Sequence, residues 1–377
     1  MTEATPLEPS PAGPSGVEIA APEPVIPTPA PGPEVVFPPA PAVQSTRRLL
    51  GASFDLLSRS TADMRRASFY IGAIVLGTVG PFALAILAFD VASPNGLEGF
   101  NRLARTSAGG WFALLAIVAF AGLVVASVES RNMAAAILGG RYADRPVSVA
   151  AALARSRMAF WRAIAASIIV GIPVSFASNI VDGVVSALLN GSTAASLIVA
   201  FAVGVLVGAP FAYVLTGVVH GDVGAIESVR RSFRVYGARK VAAAFVAGFD
   251  LLAVLIVFFG ISVGLELMSD VATALGLGTH SGPVALAVIA AGVMVVVFAF
   301  GTLIFTALAI SLAPQVVMFV GLTRATMGLD HVRPAGDHDP ATRRPGRRPF
   351  RWLTIPMLIG FLIGLGGLIG VVETLPA

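Results

Sequence analysis

The sequence contains no cysteine and few charged residues. Among its 377 residues, Asp, Glu, Lys and Arg make up 12%, whereas a typical soluble domain contains roughly 25%. The absence of cysteine excludes disulfides, thiol catalysis, iron–sulfur clusters and zinc sites with cysteine ligands. The shortage of charge leaves too few polar side chains to cover the surface of a soluble protein of this length.

Catalytic motifs are also missing. The chain has no His-Glu-x-x-His helix and no phosphate-binding loop. Asp330 and His331, followed by Asp337, His338 and Asp339, come nearest to a metal site. The prolines and arginines of that loop do not favour converging ligands. We therefore predict a protein that is not an enzyme and binds no metal or cofactor.

Long apolar runs are what the sequence has in abundance. Hydrophobic residues make up 56% of the chain, and the mean hydropathy is +0.86. Several runs are long enough to cross a hydrocarbon core of about 30 Å at about 1.5 Å per residue. Because the runs are continuous and do not alternate with polar residues, they favour helices over a β-barrel. The sequence therefore predicts an all-α polytopic membrane protein.

The order of the runs predicts a domain organisation. Residues 1–45 hold 13 of the 26 prolines and no Lys or Arg, so we expect a disordered proline-rich arm. A membrane domain is predicted at 46–330, with about six core transmembrane helices in three hairpins, preceded by amphipathic interfacial helices. A basic cytoplasmic loop at 331–352 and a seventh, C-terminal transmembrane helix at 353–372 follow.

Turn residues and prolines divide the membrane domain into spans. We expect the second span to continue past the membrane toward Leu138. The sixth apolar run extends to Val320, which is too long for one upright crossing, so we expect it to bend near Pro314 and to end along the inner surface. The predicted core spans are residues 69–92, 111–128, 163–189, 196–219, 241–265 and 284–310.

Glycines recur at helical spacing in the predicted seventh helix. Small residues at this spacing allow close helix–helix contact in a membrane. We predict that this face packs within the chain, and dimerisation is the alternative. The glycines are Gly360, Gly364, Gly367 and Gly370.

The distribution of cations predicts the orientation of the chain. Of the 25 Lys and Arg residues, all but Arg102 and Arg105 lie on one predicted side of the membrane. The positive-inside rule therefore predicts a cytoplasmic amino terminus in a cell membrane, and an external carboxyl terminus if the seventh helix spans. Anionic lipid headgroups at the cytoplasmic face are the expected partners, and nucleic acid is not.

A short pattern precedes each predicted hairpin. It consists of an apolar residue, any residue, Arg and Ser, and it occurs at 57–60, 153–156 and 229–232. Its placement at three topologically equivalent positions predicts parallel internal repeats. The alternative is chance, since arginine is common at cytoplasmic helix ends. The predicted units are residues 51–138, 141–219 and 222–322.

The best-formed copy of the pattern lies within residues 224–240. On a helical wheel Ile226 and Phe233 lie on one side, and Arg230 and Arg234 lie on the other. Such a helix in front of a membrane span is typical of a helix lying on the membrane surface. We predict that five arginines contact headgroup phosphates: Arg59, Arg155, Arg162, Arg231 and Arg234.

Two stretches resemble a known family. Residues 225–240 read AIESVRRSFRVYGARK and precede a span, and residues 313–324 read APQVVMFVGLTR. Both resemble segments of bacterial glycerophosphoryl diester phosphodiesterase membrane-domain proteins and of YciC-like membrane proteins. The resemblance covers the pattern of residues 51–330, is specific only in these two stretches, and implies a six-helix membrane domain. In that family catalysis belongs to a soluble domain, and we expect no catalytic phosphodiesterase domain here.

Polar residues inside the spans suggest an alternative function. Asp250 lies near the middle of the fifth span, where a charge costs roughly 2.5–3.5 kcal/mol, so we expect it to face the bundle interior. Together with Asp182 and Asn179 of the third span it could serve a transporter of ions, small molecules or lipids. His220 and Asp222 are expected to be interfacial polar residues, or alternatively a proton-handling pair.

The leading prediction is a non-enzymatic membrane domain that interacts with lipids or proteins. Its expected role is in membrane homeostasis, at the cytoplasmic face. A membrane protein partner or a homo-oligomer is left open.

Overall fold

The computed structural model describes residues 45–92, 107–144, 146–188, 193–274, 283–327, 362–370 and 373, and all of their regular secondary structure is helical. Apart from Ser45, the predicted proline-rich arm lies outside these residues, as does the loop at 331–352. The elements are α1 (Thr46–Ala92), α2 (Ser107–Tyr142), α3 (Val149–Leu188), α4 (Thr193–Gly208), a 3-10 turn (Ala209–Phe211), α5 (Val214–Gly221), α6 (Ala225–Ala238), α7 (Lys240–Ala274), α8 (Pro283–Met327) and a helical segment at 362–370.

Several of these helices are long and apolar enough to cross a membrane. Within the described ranges there are five such stretches. The side chains of α7 are described only in part, although that helix has 35 residues. The chain is therefore a multi-pass helical membrane protein, as predicted, whereas the count of six core helices stays a prediction. The five stretches are Thr46–Asp90, Ala108–Tyr142, Val149–Val181, Ile198–Gly221 and Ala287–Ala325.

The outer face of α3 shows how these helices meet their surroundings. Every fourth residue along this helix is a large apolar residue that is more than half exposed, and a spacing of four places them all on one face. An uninterrupted apolar stripe of this length would be unfavourable in water, but hydrocarbon solvates it. The stripe therefore faces lipid. Its residues are Ile168, Ile172, Phe176, Ile180 and Val184.

Six helix ends meet at one end of the molecule, which we call the basic end. There α1, α3 and α7 begin, and α2, α5 and α8 end. Residues 132–140 of α2 and 311–323 of α8 are buried on every side. A helix can be enclosed in this way only if it is apolar or internally paired all around, and small residues such as Ala134 and Ala313 let neighbours approach. The basic end is thus a packed protein core.

This core corrects the prediction for the end of the sixth span. α8 is a single helix through Pro314, and the stretch after Ile310 does not lie along the inner surface. Helix α8 as a whole packs against α1, α2, α5 and α7, because an apolar helix gains more by burial among other helices than at a polar interface.

The predicted connectors also differ from expectation in two of the three units. The stretches at 51–66 and 149–162 are the first turns of α1 and α3 and continue into the spans without a break. In the third unit α6 is a separate helix, and Arg239 interrupts the backbone before α7. The interfacial position of these residues in the first two units stays a prediction. The predicted continuation of the second helix toward Leu138 is confirmed, since α2 ends at Tyr142.

The first and last long helices cross at two glycines. A Cβ atom added to Gly301 of α8 would lie 2.8 Å from the Cα atom of Gly72 in α1. Contact at this distance requires that neither residue has a side chain, as in close helix pairs within membranes. α1 packs more extensively against α8 than against any other described helix.

The C-terminal segment uses its glycines in the predicted way. A Cβ atom at Gly364 would overlap Pro81 of α1, and one at Gly370 would overlap Trp111 of α2. Gly367 is likewise in contact with Leu115. Packing within the chain is therefore confirmed for these three glycines, while Gly360 lies outside the described residues.

Candidate lipid-headgroup site

α6 presents three different faces. Ser228 and Ser232 form a buried stripe toward the protein. On the next face Ile226 and Phe233 are 66% and 45% exposed. Exposed arginines occupy the remaining face. The helix is therefore anchored on one side, while an apolar edge and a basic face remain accessible.

The serine stripe covers a break in the fourth predicted span. Pro210 has no N–H group, and between α4 and α5 the chain forms a 3-10 turn that leaves backbone groups without helical partners. Ser232 Oγ donates a hydrogen bond to the Pro210 carbonyl oxygen at 2.6 Å and accepts one from the Tyr213 N–H at 3.2 Å. Ser228 Oγ donates to the Val214 carbonyl oxygen. A broken helix at this depth requires such partners, because lipid supplies none.

Two arginines of α3 hold the end of α5. Nε and Nη2 of Arg155 donate hydrogen bonds to the Val219 carbonyl oxygen at 2.9 and 2.7 Å. Its Nη1 lies 3.1 Å from Oδ1 of Asp222, and Nη2 of Arg162 lies 2.8 Å from the same oxygen. Asp222 has a φ of 50° and directly follows the last residue of α5. Cations are favourable there because the helix dipole is negative at its C-terminus.

This arrangement corrects the prediction that Arg155 contacts headgroups. Its side chain is fully buried, because it serves the carbonyl and carboxylate groups at the end of α5. Arg162 is about one third exposed and shares Asp222. Arg231 is mostly covered and lies 3.5 Å from Glu227, whereas Arg59 is half exposed and pairs with Asp55 at 2.7 Å.

Arg234 is the candidate that is openly available. It is exposed on α6 beside Phe233. Arg230 is exposed in the same way, although it was not among the five predicted contacts, and its Nη1 lies 3.8 Å from Glu227. The headgroup contacts of Arg59, Arg162, Arg231 and Arg234 stay predictions.

In the repeated pattern, the serine is the position whose side chain is equally buried in all three copies. Ser60, Ser156 and Ser232 are each fully buried, whereas the three preceding arginines range from buried to half exposed. Equivalent burial at equivalent positions is what an internal repeat would produce. It supports the predicted units, which stay a prediction.

Sequence reasoning missed a buried polar group between α1, α2 and α3. Glu129 is almost fully buried, and Oη of Tyr70 donates a hydrogen bond to its Oε2 at 3.4 Å. The guanidinium of Arg157 is a close electrostatic neighbour of both side chains. The predicted second span ended at Val128, one residue too early to mark Glu129 as an embedded charge. The apolar, alanine-rich continuation of α2 was the signal that could have revealed it.

The structure describes the side chains of two of the three predicted transport residues. Asp250 is half buried on α7, Asn179 is exposed on α3, and α4 packs against both of these helices. The side chain of Asp182 lies outside the described residues. In the part of the chain that the structure covers, no three His, Asp or Glu side chains could hold a metal ion. The Asp330–Asp339 stretch lies outside that part.

His220 contacts a backbone carbonyl group of α2. Its imidazole is fully buried, and Nε2 lies 2.9 Å from the Ala135 carbonyl oxygen in α2. The ring packs directly on Gly139, where a Cβ atom would overlap it. His220 therefore joins α5 to α2 through a backbone contact.

Gly139→Ala is expected to lower the free energy of unfolding by about 1–3 kcal/mol, because the added methyl group displaces the buried His220 ring. Denaturant titration of the detergent-purified protein measures this change. Gly171→Ala is the matched control, since a Cβ atom there meets no atom within 4 Å, and alanine favours a helix by about 1 kcal/mol over glycine. Equal destabilisation by both substitutions would contradict close packing at Gly139.

The cavities lined by described residues include two at the basic end. The larger, about 340 Å³, lies where α6 and α7 meet the start of α1, with Arg239 and Lys240 in its wall. The smaller, about 220 Å³, lies between α2, α3, α5 and α8. Neither cavity is lined by Asp250 or Asn179.

No protein-family model, curated protein or solved structure matches the chain. The resemblance noted at residues 225–240 and 313–324 therefore stays an expectation.

Proposed function

We propose that this membrane protein binds anionic lipid headgroups at the cytoplasmic face through the exposed edge of α6. The observation that carries the proposal is the exposed apolar pair Ile226 and Phe233 next to exposed Arg230 and Arg234. An apolar pair of this kind is unfavourable in water and favourable in the headgroup region. Arginines beside it lie where lipid phosphates are found.

Anchoring makes α6 suited to this role. The hydrogen bonds of Ser228 and Ser232 fix the helix on the protein before any lipid arrives. A free amphipathic peptide must order its backbone when it binds a membrane, whereas α6 does not. Lipid affinity therefore comes from the exposed apolar edge and from the cations. Each cation contributes about 1 kcal/mol near an anionic surface.

The uneven distribution of Lys and Arg along the chain supports a cytoplasmic position for this lipid site. Helix α6 lies at the basic end, where most of the Lys and Arg residues of the described helices occur. Under the positive-inside rule this end faces the cytoplasm, whose membrane leaflet carries anionic lipids. In this proposal the role is binding and organisation of lipids, and it requires no catalytic group.

Arg230→Gln combined with Arg234→Gln is expected to weaken the preference for anionic lipid on the order of 30-fold, since two cations contribute about 2 kcal/mol. Phe233→Trp, in a protein whose three native tryptophans are replaced by phenylalanine, reports lipid contact at this edge. Quenching of its fluorescence by brominated phosphatidylglycerol, titrated against phosphatidylcholine in vesicles, gives the relative affinity.

The control is Arg47→Gln combined with Arg48→Gln, which removes two exposed cations from the first turn of α1. It should leave quenching at residue 233 within about twofold of the reporter protein, because screening confines each charge to its own surroundings. An unchanged lipid preference after loss of both α6 arginines would overturn the proposal.

A further inference from the structure

The 220 Å³ cavity combines one cation, two hydroxyl groups and apolar walls. Its polar side consists of Arg131 and Ser127, one turn apart on α2, and Ser167 across from them on α3. Ala163, Leu215 and Leu308 belong to the other walls. No Asp or Glu lines it.

Arg131 differs from its neighbours in its partners. At the basic end Arg141 pairs with Asp63 at 3.0 Å, and Arg155 pairs with Asp222. No described carboxylate lies within ion-pair distance of Arg131, and Glu129 projects from the other side of α2 toward Tyr70. A partly enclosed arginine without a counter-ion is costly within a membrane-spanning helix. Among the described residues, the cavity therefore contains a positive charge with no carboxylate partner and room for an anion beside it.

The predicted span ends place the cavity near the level of the lipid phosphates. Val128 and Ala163, which both line it, are the residues at which the sequence predicts that the second span ends and the third begins. Leu215 and Leu308 lie within about one turn of the predicted inner ends of the fourth and sixth spans. The predicted ends of four spans thus agree in placing the cavity at the inner boundary of the hydrocarbon region.

We infer that this cavity binds the phosphate group of a single anionic amphiphile, with Arg131 as the cationic ligand and Ser127 and Ser167 as hydrogen-bond donors. Pockets that enclose drug-sized ligands measure about 300–1,000 Å³, so a cavity of about 220 Å³ accepts the headgroup only. The acyl chains would remain outside, along the apolar helix faces. The same chemistry would also recognise free phosphate, and the experiment separates the two sources.

The inference does not depend on the proposed role of α6, since no residue of α6 lines the cavity. The full-length protein in a non-ionic detergent is titrated with short-chain phosphatidylglycerol, with diacylglycerol of the same chain length, and with inorganic phosphate. Native mass spectrometry gives the number of bound molecules, and calorimetry gives the affinities. One phosphatidylglycerol per chain is expected at this site, with much weaker binding of the other two probes.

Arg131→Gln is expected to weaken phosphatidylglycerol binding about 10- to 100-fold, the usual value of hydrogen bonds to a charged group. Arg48→Gln removes one exposed cation from the first turn of α1 and should leave this binding unchanged. Weaker phosphatidylglycerol binding in Arg131→Gln with unchanged lipid quenching at residue 233 separates the result from the proposed function. If Arg131→Gln does not fold, Ser167→Val removes one donor from the wall and should lower affinity about tenfold.

Three outcomes would overturn the inference. Unchanged phosphatidylglycerol binding in folded Arg131→Gln would show that Arg131 is not a ligand. Where only Ser167→Val folds, unchanged binding in that variant would show the same for Ser167. Diacylglycerol binding as tightly as phosphatidylglycerol would exclude recognition of the phosphate. Inorganic phosphate binding as tightly as the lipid would show that the ligand is the free anion and not an amphiphile.

Discussion

Asp222→Asn is expected to lower the free energy of unfolding by about 3–5 kcal/mol, the usual cost of removing one partner from a buried ion pair. Asparagine preserves the size of the side chain and tolerates the left-handed backbone at this position, where φ is 50°. The substitution therefore changes charge and little else. Arg155, which is fully buried, loses its contact with a carboxylate at 3.1 Å. Denaturant titration in detergent, followed by circular dichroism, measures the loss.

Asp144→Asn is a closely matched control. Asp144 also follows the end of a helix and also has a positive φ, 58°. Its pair with Arg324 is exposed and long, with 3.9 Å between the charged atoms. Exposed pairs of this kind contribute less than about 1 kcal/mol, so the control should be nearly neutral. Equal costs for the two substitutions would show that the charge of Asp222 does not stabilise the buried arginine.

Ser232→Ala is expected to cost about 1–3 kcal/mol for each backbone group that it leaves buried without a partner. Two such groups lose their hydrogen bond, the Pro210 carbonyl and the Tyr213 N–H. Both belong to the break between α4 and α5, where no helical hydrogen bond replaces the lost contact. The expected result is a less stable protein in which α6 separates from the break, so that hydrogen exchange of the Tyr213 amide becomes faster.

Ser60→Ala tests whether a buried serine is important in itself. Ser60 occupies the equivalent position in the first copy of the repeated pattern and is equally buried, but its Oγ has no hydrogen-bond partner among the described residues. Its replacement removes an unsatisfied polar atom and should be neutral or slightly stabilising. A loss as large as that of Ser232→Ala would locate the effect in packing and not in the hydrogen bonds of the break.

The membrane class, the main helices and the location of the basic residues could be predicted from the sequence. Each depends on a property that is local in the chain. The length of an apolar run decides whether a helix can span, and the positions of Lys and Arg indicate which helix ends lie on the same side. The glycines at the C-terminus likewise predicted close packing, although not that Pro81 and Trp111 are their partners.

The remaining features depend on contacts between distant segments. A helical wheel treats Ser228 and Ser232 as polar surface, and only the break at Pro210 gives these hydroxyl groups a reason to face inward. Arg155 looks like the other arginines at cytoplasmic helix ends, and its burial depends on the end of α5. Glu129 was missed because its depth is set by contact with Tyr70, a residue of a different helix.

The contact between Gly72 and Gly301 has a consequence for biogenesis. These glycines belong to the first and the last of the long described helices, so the contact is among the most non-local in the fold. During synthesis α1 enters the membrane well before α8 exists, and until then the face of α1 that receives α8 has lipid as its neighbour. The core at the basic end is therefore completed only when α8 is inserted, and loss of α8 would leave the earlier helices without their central partner.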